Sequence, residues 1–378
     1  MRSESNKKKQ YYQVSFLPWA DIREEFQIGP INFWHFSDAD KKINDKDILN
    51  HLKEYFKSYV DYQGNPVETI VICSYENKNF KPLTNNEYNN LKSVVNALIF
   101  SVIAPAVKNA VCANNRSMGP PSAEIYELIY QNFNLGNKII AVQAGSTKHI
   151  WELGQVKFSQ PWASGGFLRS PDKELIRGFS NLYNKNIPQE TRERIFRSLE
   201  WFRFAHVEND LVSSLSKLVM MATAFEILLQ VPNIPNKKKF IAEKLEKQVI
   251  SSKLIRQSRR DSKGNTYNKL GWWAWDFYDL RNKIVHGDHI PLKLLKYKMP
   301  TKQWISHYIV SDLIFLECVK RELFGLGCIG DSARECARKF DEAFPNDHEP
   351  QSTLHMAEWF LGFNDVYRSL GWVRKRRK

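Results

Sequence analysis

The sequence predicts an α+β N-terminal domain over residues 1–168, followed by an all-α helical bundle over residues 169–327. Three observations support this division. Short β-branched and aromatic runs separated by turn residues dominate the first part. Apolar residues at helical spacing dominate the second part. Between them, the glycine pair within residues 161–167 makes this segment the best candidate linker.

Local patterns predict the elements of the N-terminal domain. The turn at Gly29-Pro30 separates two aromatic-rich strands. Thr84 and Glu87 form a capping box for a long apolar helix, which we expect Pro105 to bend or stop. The predicted strands are residues 11–19, 26–36, 69–75, 138–143 and 155–158, and the first predicted helix is residues 47–60.

The second half of the chain shows almost continuous helical periodicity. Its predicted helices are residues 172–183, 189–206, 209–229, 237–257, 272–286 and 302–324. Loops are predicted at residues 233–236 and 260–265. Residues 328–378 are predicted to form a helical appendage that ends in the basic tail Arg374–Lys378.

Composition narrows the class of protein. With 378 residues and 43% hydrophobic content, the chain is long enough for two buried cores. The longest apolar candidate, residues 97–107, falls short of the roughly 18 residues of a membrane span and is expected to be a buried helix. The charged N-terminus leads into no apolar signal core. We therefore expect a cytoplasmic protein without a membrane partner.

The five cysteines form no Cys-x-x-Cys pair and are odd in number. The nine histidines form no ligand array of the His-Glu-x-x-His kind. Reduced thiols are the expectation, with no disulfide framework, no metal site and no cofactor.

The charge favours a polyanionic partner, because 55 basic residues against 41 acidic ones give a net charge of +14. Residues 236–263 concentrate this charge, with ten basic residues against three acidic ones. Either this segment contacts RNA phosphates or it is a solvated helix face. The RNA-binding candidates in it are Lys237, Lys238, Lys239, Arg256, Arg259 and Arg260.

The run 278–288 holds the residues best suited to chemistry. Arg281 offers a fork of hydrogen-bond donors to a phosphate, and His286 can exchange a proton near neutral pH. Residues five apart lie about 140° around a helix, so these two side chains do not share a face, whereas Asn282 and His286 do. A site that uses all three needs a neighbouring helix or subunit. Gly287 is the expected helix cap.

Glu226 is the supporting candidate. It lies beside the apolar stripe of the predicted helix 209–229. Its carboxylate either assists catalysis, pairs with Arg281, or contacts a backbone amide.

The Arg281, Asn282 and His286 spacing resembles the Arg-polar-x-x-x-His signature of the HEPN superfamily. The trailing Gly287 and the aromatic residues upstream look most like its ApeA-like branch, and the resemblance covers about residues 170–327. It implies an all-α HEPN helical bundle that pairs with a second copy, as a homodimer or higher oligomer, to build one composite cleft.

The resemblance also implies a function: metal-independent RNA cleavage in prokaryotic anti-phage defence or growth arrest, released by a phage-derived or nucleotide trigger. His286 would transfer protons, Arg281 would stabilise the transition state, and Asn282 would orient either His286 or the phosphate. Lys283 and His289 are weaker candidates for RNA contact. The alternative is a non-catalytic dimerisation or RNA-binding module that regulates a partner protein.

The N-terminal domain shows no Walker loop, no nucleotidyltransferase signature and no nucleophile elbow. Its expected role, by resemblance to defence proteins of this layout, is to sense a trigger or to restrain the nuclease.

Overall fold

The computed structural model describes residues 11–330, except 77, 79, 113–121, 136–138, 145–146, 162–169, 184–185, 209–211, 248–257, 261–263, 265 and 299–303. Residues 162–167 of the predicted linker and most of the predicted C-terminal appendage therefore lie outside the described residues. The chain divides into two compact units, Met1–Val95 with Ser122–Pro171, and Asn96–Pro121 with Asp172–Lys378. The first contains an antiparallel sheet and the second is mostly helical.

The first unit is built on a five-stranded antiparallel sheet in the order β2-β3-β5-β1-β6. Its strands are β1 (Tyr12–Leu17), β2 (Phe26–Ile28), β3 (Ile31–His35), β5 (Val71–Tyr75) and β6 (Ile129–Phe133). The turn at Gly29, where φ is +55°, closes the β2–β3 hairpin. The predicted turn at Gly29-Pro30 is therefore confirmed.

Apolar side chains are buried on both faces of this sheet, and Phe16 lies on one of them. Phe16 on β1 packs against Tyr55, Phe56 and Tyr59 with ring centroids 4.8–5.9 Å apart. Tyr55 and Phe56 lie on α2 (Lys46–Phe56), which follows the short α1 (Ala39–Lys42). The predicted helix 47–60 was too long, because Tyr59–Val60 forms β4 and pairs in parallel with β9 (Phe158–Ser159). A hairpin of β7 (Ile139–Ala144) and β8 (Thr147–Glu152) completes the described strands of this unit.

The long helix α3 (Asn85–Cys112) starts at the predicted capping box. Thr84 N donates to Glu87 Oε2 at 2.8 Å, and Glu87 N donates to Thr84 Oγ1 at 3.4 Å. Pro105 does not end the helix, contrary to one of our two expectations. The carbonyl of Ser101, which lacks its usual partner because proline has no N–H, instead accepts from Asp172 N at 2.9 Å.

Among the described helices, α3 is the one long and apolar enough to cross a membrane, and 78% of its apolar window is buried inside the protein. The division between the two units falls within it. The described residues 96–112 group with the second unit, whereas the sequence predicts them to lie in the N-terminal domain of residues 1–168. Phe100 packs on Phe179, Phe202 and Phe315 of the second unit at centroid distances of 4.9–6.1 Å.

The second unit contains α4 (Lys173–Asn181), α5 (Gln189–Ala205), α6 (Ser214–Leu228), α7 (Lys237–Glu246), α8 (Lys269–Val285) and α9 (His307–Gly325). Two short hairpins were not predicted, β10–β11 (Ser258–Arg260 with Thr266–Asn268) and β12–β13 (Lys296–Lys298 with Trp304–Ser306). The second hairpin shortens the predicted helix 302–324, because Trp304–Ser306 pairs as a strand before the helix begins.

Aromatic side chains join the helices of the second unit. Phe315 on α9 is fully buried and contacts Phe202 on α5 and Phe225 on α6 at centroid distances of 5.7 and 5.2 Å. Phe225 also contacts Trp273 and Phe277 on α8 at 6.2 and 6.1 Å. The core therefore fixes α6 and α8 side by side.

The start of α8 is attached to the end of α7. Asn268 caps α8 by accepting from Gly271 N at 3.0 Å, and Glu246 of α7 accepts from Asn268 N at 2.6 Å. A methyl group on Gly271 would approach the Ala242 carbonyl oxygen to 3.2 Å. The glycine therefore permits close packing of the two helices.

His307, at the first position of α9, predicts a pH-dependent stability. Burial lowers its pKa to about 4, and its ring lies 6.4 Å from Trp273 and 6.1 Å from Phe277. The pKa of this histidine is 6.5 when it is unperturbed, as in the unfolded chain, and about 4 in the folded chain. Between these two pH values the unfolded chain therefore binds more protons than the folded chain. We expect this group to lower the free energy of unfolding by about 2 kcal/mol between pH 7 and pH 5.

Urea unfolding at both pH values measures this effect. His307→Gln should lose less stability on acidification than the unmodified protein, because glutamine does not titrate. An equal loss in both proteins would assign the acid sensitivity to other groups.

Candidate functional site

The Arg281–His286 motif occupies the last turns of α8. Gly287 has φ +78° and its N–H donates to the Ile284 carbonyl at 3.1 Å, while Asp288 N donates to the Lys283 carbonyl at 2.9 Å. These two bonds form a Schellman cap, with the glycine in the left-handed conformation. The predicted cap at Gly287 is confirmed, and it ends the helix immediately after His286.

Arg281 is held from three sides. Its Nη2 lies 3.3 Å from Glu226 Oε1, its Nη1 donates to Asn282 Oδ1 at 3.2 Å, and its guanidinium lies 5.4 Å from the centre of the Tyr278 ring. The side chain is 23% exposed. Glu226, Asn282 and Tyr278 therefore orient the guanidinium, while the group keeps some access to solvent.

Glu226 is the centre of this arrangement. It follows Phe225, whose burial in the core directs the end of α6 towards α8. Besides Arg281, it accepts a hydrogen bond from the Tyr278 hydroxyl and pairs with Lys237 Nζ at 3.0 Å. Its side chain is only 16% exposed. The structure thus places Glu226 in an ion pair with Arg281.

The hydroxyl of Tyr278 is a contact that our sequence reasoning missed. Burial, and then the hydrogen bond to Glu226, raise the pKa of Tyr278, so it remains a neutral donor. The available signal was its position three residues before Arg281, which puts both side chains on neighbouring parts of the helix surface.

A second charge cluster lies beside the first. Asp279 pairs with Lys238 at 2.7 Å and with Lys283 at 3.0 Å. Burial alone would raise the pKa of Asp279, but the hydrogen bonds and charges of the two lysines outweigh it and lower that pKa. Lys238 also lies 4.4 Å from the centre of the Trp275 ring. The two lysines at the start of α7 are therefore attached to α6 and α8 by carboxylates.

These contacts bear on the RNA-binding candidates. Lys237, Lys238 and Lys283 are ion-paired within the protein, and Lys239 lies 3.6 Å from Glu243 on an exposed surface. His289 is exposed just beyond the cap. The remaining candidates cannot be placed: Arg256 lies outside the described residues, and the side chains of Arg259 and Arg260 are likewise not described.

His286 stands apart from the Arg281 cluster. It is exposed, and in the described part of the chain its imidazole makes no hydrogen bond or ion pair. Asn282 is engaged by Arg281 rather than by the His286 ring, although its carbonyl accepts from His286 N at 2.9 Å. Within one chain, the structure therefore brings together Arg281, Asn282 and Glu226 but not the imidazole.

The surface around His286 is partly apolar. Val285 is 51% exposed and Leu292, just after the cap, is 79% exposed. Among the described residues, no three His, Cys, Asp or Glu side chains converge as metal ligands. Exposed aliphatic residues thus come directly before and shortly after His286 in the sequence.

The helix cap can be tested through its glycine. Gly287→Ala should lower the free energy of unfolding by about 1 kcal/mol, because alanine disfavours positive φ. Gly325→Ala is the matched control, since it lies at the end of α9 with open space around it and no positive φ. That control should be neutral or slightly stabilising. Equal destabilisation by both, measured in urea, would exclude a special role for the cap.

Comparison of the chain with protein-family models, curated proteins and solved structures gives no match. The geometry at the end of α8, together with the motif resemblance, is therefore what bears on function.

Proposed function

We propose that the protein is a metal-independent endoribonuclease whose second unit is a HEPN-type bundle acting as a homodimer. The observation that carries this proposal is the oriented Arg281, held by Glu226 and Asn282 five residues before an exposed His286. The net charge of +14 suits an RNA substrate. The cytoplasm of a prokaryotic cell and a role in anti-phage defence or growth arrest follow by analogy only.

The reaction needs one proton removed and one supplied. The ribose 2′-oxygen attacks the adjacent phosphorus, the 2′-hydroxyl loses its proton, and the bond to the 5′-oxygen breaks as that oxygen gains a proton. The products are a 2′,3′-cyclic phosphate and a free 5′-hydroxyl. His286 acts in proton transfer, and Arg281 stabilises the negative charge that grows on the phosphate oxygens.

A second copy of the chain supplies the missing geometry. Arg281 contacts Glu226 of α6, whereas His286 is exposed at the end of α8. Within one chain, the guanidinium and the imidazole therefore do not meet. A two-fold axis near the end of α8 would bring each Arg281 towards the other copy's His286. Val285 and Leu292 provide exposed aliphatic contacts for such an interface.

A non-catalytic RNA-binding or dimerisation module is the second candidate. It is favoured by the position of the exposed His286 imidazole apart from Arg281 within one chain, because such a chain can bind RNA or a partner without cleaving RNA. In that case the protein would bind RNA or a partner protein without cleaving it.

RNA cleavage in EDTA distinguishes the two candidates. We expect the unmodified protein to cut labelled total RNA, leaving cyclic phosphate ends, and to spare DNA, which lacks the 2′-hydroxyl. Arg281→Ala and His286→Ala should each lower the rate by about 100-fold or more. Arg192→Ala is the matched control and should retain full activity. Arg192 lies on α5, and its guanidinium is 4.7 Å from the centre of the Tyr183 ring.

The oligomeric state of each protein is measured by light scattering on the same samples. If both site variants remain dimers and do not cut, the composite site is supported. RNA binding without cleavage by the unmodified protein would favour the binding module, and cleavage by either site variant would place the active site elsewhere.

Glu226 provides a separate test of how Arg281 is held. Glu226→Gln removes the charge that orients the guanidinium, so we expect cleavage to fall by about tenfold or more while dimerisation persists. Glu243→Gln, which removes a carboxylate from an exposed pair with Lys239, should leave the rate unchanged. Unchanged activity in Glu226→Gln, with normal folding by circular dichroism, would contradict this positioning role.

A further inference from the structure

Two buried polar side chains lie on β1 of the five-stranded sheet. Side chains alternate along each strand and paired residues share a face, so Gln13 and Ser15 lie on the face opposite Phe16. Asn32 and Ser74, which pair across β3 and β5, lie on the Phe16 face. Here Gln13 and Ser15 are only 4% and 5% exposed, so their polar groups lie in a covered site.

The pairing between β1 and β5 stops partway along the two strands. The registered pairs between β1 and β5 are Phe16 with Ile72 and Leu17 with Val71, whereas β3 follows β5 from Val71 to Tyr75. The chain after β5 returns to β1, where Gln13 N donates to the Phe80 carbonyl at 2.8 Å. A pocket of about 290 Å³ lies where this pairing stops. Its size is at the lower end of the range for small-molecule sites.

The pocket is cationic. Among the described residues, Lys42, Lys78 and Lys81 line the pocket together with one carboxylate, that of Glu25. Lys42 pairs with Glu25 at 2.7 Å, and Lys78 pairs with Glu87 at 2.7 Å. Lys81 is exposed, and no ion pair holds it within the described residues. Lysines act as point charges for phosphate groups.

Hydrogen-bond donors accompany these charges. The hydroxyl oxygen of Ser74 accepts from Trp34 Nε1 at 3.1 Å, which leaves its proton available to another acceptor. The amide oxygen of Gln13 accepts from Leu83 N, yet Gln13 Nε2 is buried and has no acceptor among the described residues. A buried donor without a partner is costly, and it indicates a site that gains from an added acceptor.

Aromatic rings complete the lining. Trp34, Tyr75 and Phe80 contribute to the pocket walls, and Lys42 lies 5.6 Å from the centre of the Trp34 ring. Flat π-surfaces beside ammonium groups suit a ligand that combines an aromatic base with an anion. A bare anion would use the lysines but not the rings.

We propose that this pocket binds a nucleoside monophosphate, with its phosphate near Lys42, Lys78 and Lys81 and its base against the aromatic walls. The site lies wholly within the first unit. It does not depend on the proposed nuclease, because a mononucleotide contains no internucleotide bond for that reaction to cleave.

Titration calorimetry on the full chain tests this assignment. The probes are AMP, GMP, CMP and UMP, each compared with its nucleoside and with inorganic phosphate. We expect at least one monophosphate to bind about tenfold or more tightly than both its nucleoside and inorganic phosphate. Lys42→Gln and Lys81→Gln should each weaken that binding by about fivefold or more.

Lys53→Gln is the matched control, because Lys53 pairs with Asp40 at 2.9 Å in the same unit but does not line the pocket. Its affinity should stay within about twofold of the unmodified protein. The proposal is overturned if none of the four monophosphates binds, if inorganic phosphate binds equally well, or if the two pocket variants match the control. RNA cleavage is measured on the same samples, so that failure of nucleotide binding is distinguished from failure of the proposed nuclease.

Discussion

The packing of Phe315 is the contact on which the second unit depends. It is fully buried on α9 and touches rings of α3, α5 and α6, so one side chain sets the spacing of four helices. Phe225 extends this contact to α8 through Trp273 and Phe277. Because Glu226 follows Phe225 directly, the aromatic core also decides where that carboxylate meets Arg281. A change in the core would therefore alter the site without touching any of its polar residues.

The lysines at the start of α7 are stabilised by carboxylates from neighbouring helices. Three lysines occupy the first turn of this helix, where the helix dipole is positive and the turn itself holds no acidic residue. That arrangement is locally unfavourable. Glu226 and Asp279, from α6 and α8, offset it by pairing with Lys237 and Lys238. The same carboxylates orient Arg281 and Lys283, so stabilising α7 and preparing the candidate site rest on one set of ion pairs.

Local patterns predicted much of this structure. The capping box at Thr84, the hairpin turn at Gly29 and the cap at Gly287 depend on neighbouring residues alone, and all three are present. The sequence predictions failed where contacts between residues far apart in the chain determine the local structure. The Ser101 carbonyl, which Pro105 leaves without its helical donor, accepts instead from Asp172 N, and the sequence around Pro105 does not reveal this distant donor. The link between Tyr278 and Glu226 spans 52 residues and has no sequence period to reveal it.

The separation of Arg281 from the imidazole follows from helix geometry. Any helix places residues five apart on different faces, and α8 uses the Arg281 face to contact α6. Turning Arg281 towards its own His286 would break the contact with Glu226 and leave a carboxylate that is only 16% exposed with one fewer cation. A second copy avoids this cost, because it can bring an imidazole to an arginine that stays where it is. In the proposed enzyme, catalysis would thus depend on association, while each chain keeps its ion pairs intact.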